Sequence, residues 1–261
     1  MKKDLTNFLN AKAAQYEQPA FINDDPISIP HRFTKKQDIE IAGFFAAILA
    51  WGNRKSIIGS CERLMLWMGN APYDFIMNFE EDDLSPFMKF AHRTFNPTDL
   101  FHFFDYLQLH YKFFAEESLE TAFTKHLQPG DENIENALIG FHNSFFDQKY
   151  FAEYPNRTRK HIATPAKKSA CKRLNMYLRW MVRSNIKGVD FGVWNQIKPS
   201  QLVCPLDLHV ARVARHFKLL GRPNNDWFAA TELTNHLKKL DPDDPVKYDF
   251  ALFGLGVIEK F

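Results

Sequence analysis

A lysine and an aspartate at the starts of two helices are the residues of this sequence best placed to do chemistry. After Pro165, the residues Leu174, Leu178, Met181 and Val182 recur at helical spacing, flanked by Lys172, Arg173, Arg179 and Arg183. Lys172 therefore falls in the first turn of an amphipathic helix, with Lys168 and Arg173 nearby. The second start follows Pro205, which keeps the residue before it out of the helical region. Leu206, Val210, Val213 and Phe217 then recur at helical intervals and leave Asp207 at the N-cap. A capping carboxylate accepts backbone N–H bonds, so its orientation is fixed. An amine and an oriented carboxylate in a cationic setting point to chemistry on an anionic polymer.

The charge distribution points the same way. The chain of 261 residues has a net charge of only +2, yet ten of its Lys and Arg residues lie between Arg157 and Val189, a window without a single acid. The rest of the chain is net acidic, so the basic charge is local, as on a surface that faces a polyanion. An ordinary solvated helix face would read similarly, and only its coincidence with Lys172 and Asp207 favours the first reading.

Composition excludes several other classes. With 45% hydrophobic residues the chain can bury one or two cores, and it reads as a globular protein. Its three cysteines, Cys61, Cys171 and Cys204, are far apart and form no Cys-x-x-Cys pair, so zinc, iron–sulfur and disulfide frameworks lack their spacing. Phosphate-binding glycine loops and metalloprotease motifs are missing, and no cofactor or metal is expected. Asp4, Asn7 and Asn10 interrupt any signal sequence, and the longest apolar run, Ile41 to Trp51, is too short to span a bilayer. A cytoplasmic protein, not associated with membranes, is expected.

The elements that must position the two residues read as helices almost throughout. Thr34 to Gln37 predicts a capping box opening a helix with Ile41, Phe44, Phe45, Ile48 and Leu49 inward, ending near Trp51-Gly52. Another follows after Asn53. Asn96-Pro97 starts a third, in which Leu100, Phe103, Phe104, Leu107, Tyr111 and Phe114 form one stripe; Asp131 opens a fourth with Ile134, Leu138, Phe141 and Phe145. Aromatic stripes of this kind are read as packing. Asp226 caps a later helix and Pro245 opens the last. The fold class is all-α, with two helical lobes flanking a cleft. One is formed by both termini (1–95 and 216–261), and the other (96–215) carries Lys172 and Asp207.

The Lys172 helix, followed some thirty-five positions on by Pro205-Leu206-Asp207-Leu208-His209-Val210, resembles the catalytic half of the helix-hairpin-helix DNA glycosylases. The likeness is greatest to the archaeal-type 8-oxoguanine glycosylases. The stretch 47–64, Ala-Ile-Leu-Ala-Trp-Gly-Asn-Arg-Lys-Ser-Ile-Ile-Gly-Ser-Cys-Glu-Arg-Leu, is similar to the paired helices on the other side of the lesion pocket in that superfamily. The resemblance covers 38–68 and 164–258. Where those proteins carry a Leu-x-Gly-Val-Gly hairpin, this chain has Thr164-Pro165-Ala166-Lys167-Lys168-Ser169-Ala170, without glycine.

The resemblance implies a DNA glycosylase with AP-lyase activity in base excision repair, removing a damaged base, such as an oxidised purine, after flipping it out of damaged duplex or single-stranded DNA. Lys172 would take the place of the imine-forming nucleophile and Asp207 that of the catalytic aspartate. Lys168 contends for the first role. Arg157, Arg159, Lys168, Arg173, Arg179 and Asn53 are implied DNA contacts, and Trp51, Trp180 and His209 candidates for the base pocket. The protein would act as a monomer. Two alternatives stay open: a non-catalytic nucleic-acid-binding protein that keeps the fold, and an unrelated helical protein in which Asp207 is only a cap.

Overall fold

A computed structural model describes residues 2–151 and 155–261, with the side chains of the first two of these left aside. Eleven α-helices are assigned among the described residues: α1 (Lys2–Tyr16), α2 (Lys36–Leu49), α3 (Arg54–Trp67), α4 (Pro72–Asn78), α5 (Pro97–Gln108), α6 (Thr121–Thr124), α7 (Glu135–Phe145), α8 (Lys172–Val182), α9 (Leu208–His216), α10 (Trp227–Lys238) and α11 (Tyr248–Val257). Short 3-10 turns and one π-helical turn join them. The only extended pairings among these residues are two isolated bridges, so the fold class is all-α.

Local capping explains most helix starts. Asn53 accepts from the N–H groups of Lys55 and Ser56, Asn96 from Asp99, Asp207 from His209 and Val210, and Asp226 from Ala229. Each satisfies donors that the first turn cannot. The capping box expected at Thr34 does not form: α2 starts after Lys35, whose side chain makes no capping bond. Burial of eleven consecutive residues, Ile39 to Leu49, holds that helix instead.

The chain divides into two compact units, and not where the sequence suggested. The terminal unit comprises Met1–Ile22, Leu127–Ile139 and Ala163–Phe261; the aromatic unit comprises Asn23–His126 and Gly140–Ile162. Both termini do share a unit, because α1 packs on α11. However, α9 also packs on α11 and α8 is tied to it through Arg179 and Asp249, so the segment from 163 onward joins the termini. Residues 23–95 instead pack with the phenylalanine-rich middle: Phe44 stacks on Phe103 at 5.5 Å, and Phe104 meets Phe75 and Phe87 at 5.3 and 5.1 Å.

In the terminal unit, two glycines let α11 approach its neighbours. A Cβ on Gly254 would lie 2.2 Å from the Tyr16 ring, and one on Gly256 would meet His209 Cβ at 3.0 Å. Among the described residues no helix is long and apolar enough to cross a membrane.

Candidate active site

Lys172 is the first residue of α8, and the turn before it sets its direction. Thr164 Oγ1 accepts from the Ala166 N–H, Pro165–Lys167 makes a single 3-10 turn, and Lys168 then takes φ +59°. Cys171, immediately before the helix, has φ +49°. Two residues other than glycine thus adopt the left-handed conformation that glycine enters most easily, at a cost on the order of 1 kcal/mol each. Surrounding contacts hold them there. The Lys168 carbonyl accepts from Trp227 N–H at 3.0 Å, Asn175 Nδ2 donates to the Ala170 carbonyl at 3.0 Å, and Ser169 bridges to Asp226 at the start of α10. Lys168 is exposed on this turn rather than one helical turn before Lys172, so the two lysines do not share a helix face.

Asp207 is delivered by a buried segment, Leu202 to Leu206, anchored where Cys204 N–H donates to Thr234 Oγ1 at 3.0 Å. Its Oδ1 accepts from the N–H groups of His209 and Val210 at 2.8 and 2.9 Å. Its Oδ2 is left to face Lys172 Nζ at 3.8 Å. The lysine side chain is 30% exposed and the aspartate 21%, so both groups are reachable from solvent. At that separation the amine is close to the carboxylate without being locked in a hydrogen bond.

Behind this pair lies a buried ionic network. Arg179 of α8 is 4% exposed, hydrogen-bonds Asp249 of α11, and has Nε 3.4 Å from Asp190. Burial pushes the Asp249 carboxyl up to about 6. The nearby Asp207 charge adds to the effect, while Arg179 and Lys172 oppose it. Arg183 binds Asp244 through Nε and Nη2, and its Nη1 reaches Glu17 at 2.7 Å and Asp190 at 2.5 Å. These contacts hold α8 against α1 and α11 and so fix where Lys172 points.

The other expected site residues divide. Arg173 is half-buried beside Lys172, and burial lowers its guanidinium to about 10. His209 is exposed one residue beyond Leu208, on the same first turn of α9 as Asp207. Arg179 is not a DNA contact: its guanidinium is spent on Asp249 and Asp190. Trp180 is not in a base pocket either, because it is fully buried in the core. The basic window is accordingly not one cationic face, since Arg179 and Arg183 point inward.

Trp51, Asn53, Arg157 and Arg159 belong to the aromatic unit. Trp51 is half-buried, with the Arg93 guanidinium 4.9 Å from its ring centroid, and its carbonyl meets His92 Nε2 at 3.3 Å. Asn53 caps α3. Arg157, 43% exposed, donates to the Thr94 carbonyl at 2.6 Å and lies 3.5 Å from the buried Asp99. Arg159 lies over the Phe146 ring at 5.0 Å.

Asp190, Asp249 and the left-handed Cys171 escaped the reading of the sequence. Asp249 carried a signal: an acid inside the otherwise apolar helix Tyr248–Val257 must be paired if buried. Among the described residues no group of three or more His, Cys, Asp or Glu is placed to hold a metal ion.

The fold and site together define an all-helical protein with a lysine–aspartate pair at two adjoining helix starts. Residues 25–258 match a family described as "Protein of unknown function (DUF2400)". That span is nearly the whole chain, and the chain belongs to this family. No curated protein and no solved structure matches it.

Proposed function

We propose that the protein is a DNA glycosylase with associated AP-lyase activity, acting on a damaged base, such as an oxidised purine, that has been flipped out of the helix. The observation that carries this reading is the approach of Lys172 Nζ to Asp207 Oδ2 at 3.8 Å, with both groups open to solvent. An amine beside an oriented carboxylate suits displacement at a sugar carbon that gains positive charge as its base departs.

In this scheme the uncharged Lys172 amine forms a bond to C1′ while the N-glycosidic bond breaks. The base leaves with the bonding electrons and takes up a proton. Asp207 stabilises the cationic sugar and accepts a proton as the adduct opens to the imine. Loss of a C2′ proton then expels the 3′-phosphate by β-elimination, and water hydrolyses the imine to regenerate the amine. Lys168, exposed on the turn, and Arg173 are assigned to phosphate contact, with Arg157 and Arg159 as further contacts from the aromatic unit. His209, on the first turn of α9, is the base-pocket candidate beside the pair; Trp51 belongs to the other unit.

Borohydride trapping on oligonucleotides bearing different lesions tests the proposal, because reduction freezes the imine as a stable adduct. Wild type is expected to be trapped and Lys172→Gln not, whereas Lys168→Gln lowers DNA affinity and keeps the adduct. Loss of the adduct in Lys168→Gln alone, on DNA it still binds, would exchange the two roles. No adduct with any lesion, despite binding, would leave only a non-catalytic nucleic-acid-binding protein.

A further inference from the structure

The aromatic unit carries a groove of about 610 Å³ that the proposed chemistry leaves unused. It lies among the C-terminal end of α3, α4 and the 3-10 helix Glu81–Lys89, and it is open rather than enclosed. Trp67, Met68 and Phe75 give it apolar surface, and Asp74, Asp82 and Asp83 give it carboxylates. Three independent features define its chemistry.

The first is an anchored aromatic wall. Trp67 and Phe75 are each half-buried. Trp67 meets the edges of the buried Phe87 and Phe90 at 5.7 and 6.3 Å, and Phe75 meets Phe87 at 5.2 Å and Phe104 at 5.3 Å. Rings held in this way have little freedom left to lose when a partner covers the surface they still expose.

The second is charge of one sign. From Leu64 to Met88 the sequence has five acids, Asp74 and Glu80 to Asp83, and no Lys, Arg or His. All three lining aspartates are exposed. The C-terminal end of α3 adds the negative end of its helix dipole. Asp74 Oδ1 accepts from Asn78 Nδ2 at 3.1 Å, and Asp83 Oδ2 accepts from the Glu80 N–H at 3.0 Å, so both groups are oriented. A carboxylate has more acceptor sites than one such bond uses. A field of this sign repels phosphate, which separates the groove from any nucleic-acid surface.

The third is a guanidinium already drawn to the wall. Arg63, exposed one helical turn before Trp67, has its guanidinium carbon 5.7 Å from the Trp67 ring centroid and 5.8 Å from that of Phe90. Arg63 does not itself line the groove. Its position shows which cation this ring accepts: a planar guanidinium stacks on aromatic surface and also matches a carboxylate with two parallel N–H bonds, whereas an ammonium is a compact, strongly hydrated point charge.

The openness of the groove selects the size of the occupant. Small-molecule sites enclose most of their ligand, while an open groove with apolar and charged walls suits a peptide segment. Leu66 on α3 and Met88 on the 3-10 helix, each 63% exposed, add apolar surface to the same two elements.

We infer that this groove docks an arginine-bearing segment of a partner protein, its guanidinium groups stacked on the aromatic wall and paired with Asp74, Asp82 and Asp83. The docking is independent of the lysine–aspartate pair.

Fluorescence anisotropy tests this with the full chain and short labelled peptides that alternate alanine with arginine, lysine or glutamate. Saturable binding of the arginine peptide is expected, weakening as salt rises, with the lysine peptide bound less tightly. Asp74→Asn combined with Asp82→Asn should weaken the arginine peptide about fivefold. Asp243→Asn, which removes an exposed charge from the terminal unit, should leave it unchanged, as should Lys172→Gln. Trp67→Leu should weaken it about threefold. Because that ring also packs inward, its thermal midpoint is read alongside, and the aspartate pair, at exposed positions, decides the matter if Trp67→Leu fails to fold. Failure to saturate at about 1 mM arginine peptide, equal binding of the lysine or glutamate peptide, or an affinity unchanged in the aspartate pair would overturn the inference. So would an equal loss in Asp243→Asn, or binding of N-acetylarginine amide as tight as that of the peptide, which would make the occupant a single small cation.

Discussion

The two units bury polar groups in different ways. In the terminal unit the interior holds charge: Arg179 and Arg183 are each paired with two or more carboxylates from α1, α11 and the loops beside them. In the aromatic unit the interior is built on rings such as Phe44, Phe103, Phe141 and Phe145, its buried carboxylates Glu40 and Asp99 are met chiefly by hydroxyls and an imidazole and not by a buried arginine, and its buried histidines His92, His102 and His110 are held neutral by burial. The difference teaches where rigidity of direction matters. A ring core resists separation but tolerates small rotations, whereas an arginine fork bound to carboxylates on different elements fixes angles as well as distances. The unit whose helix carries Lys172 is the one built with forks.

The sharpest way to break this comparison is to remove a fork. Arg183→Met leaves Glu17, Asp190 and Asp244 facing one another without their cation, and the expected loss is about 3–5 kcal/mol of stability. Urea unfolding of the terminal unit measures it, and adding Asp190→Asn should recover part of the loss. A change below about 1 kcal/mol would mean that the network is decorative.

Acid should strike the other unit. His110 titrates near 4 in the folded chain against about 6.5 unfolded, so between those values the unfolded chain binds more protons. The stability it contributes is fully present above pH 6.5 and is lost as pH falls toward 4, by an amount on the order of 3 kcal/mol, with His92, His102 and His126 acting in the same direction. Asp249 in the terminal unit behaves oppositely. Its raised carboxyl takes up a proton in the folded state first, so its contribution grows as pH falls from about 6 toward the usual carboxylate range. Hydrogen exchange at core amides of each unit between pH 7 and 4.5 should show the aromatic unit weakening first. Equal weakening would erase the distinction.

The smallest effects on folding belong to the site itself. Asp207→Ala should cost about 1 kcal/mol through the lost cap, and Asp207→Asn only a few tenths, because asparagine caps nearly as well. If Asp207 serves the proposed reaction, Asp207→Asn should nevertheless lower borohydride trapping by roughly two to three orders of magnitude. Undiminished trapping by a folded Asp207→Asn protein would remove the aspartate from the scheme.

How much of this was legible in the sequence follows from the range of each interaction. The caps Asn53, Asn96, Asp207 and Asp226 are satisfied within three residues, so their pattern alone locates the helix starts. Arg179 and Arg183 read as a solvated flank because their partners lie far away in sequence: Asp244 is 61 residues beyond Arg183, Asp249 is 70 beyond Arg179, and Glu17 is 166 before Arg183. The same distance hid the burial of Trp180 and the passage of α8 and α9 into the unit of the termini. Phe114 was misplaced for a local reason, since a π-turn shifts helical periodicity without any marker in residue type.

The close fit of α11 against α1 has a consequence for the order in which the protein can be made. Tyr16 fills the notch at Gly254 and its hydroxyl reaches Glu259, Lys12 also reaches Glu259, and Phe21 packs edge-on to Phe250 at 5.4 Å. The aromatic unit is complete once residue 162 has left the ribosome and can condense while synthesis continues. Helix α1 is made long before α11, the helix it packs on most extensively, and lacks that partner until α11 emerges. Its apolar residue Leu9 is fully buried only in the finished unit.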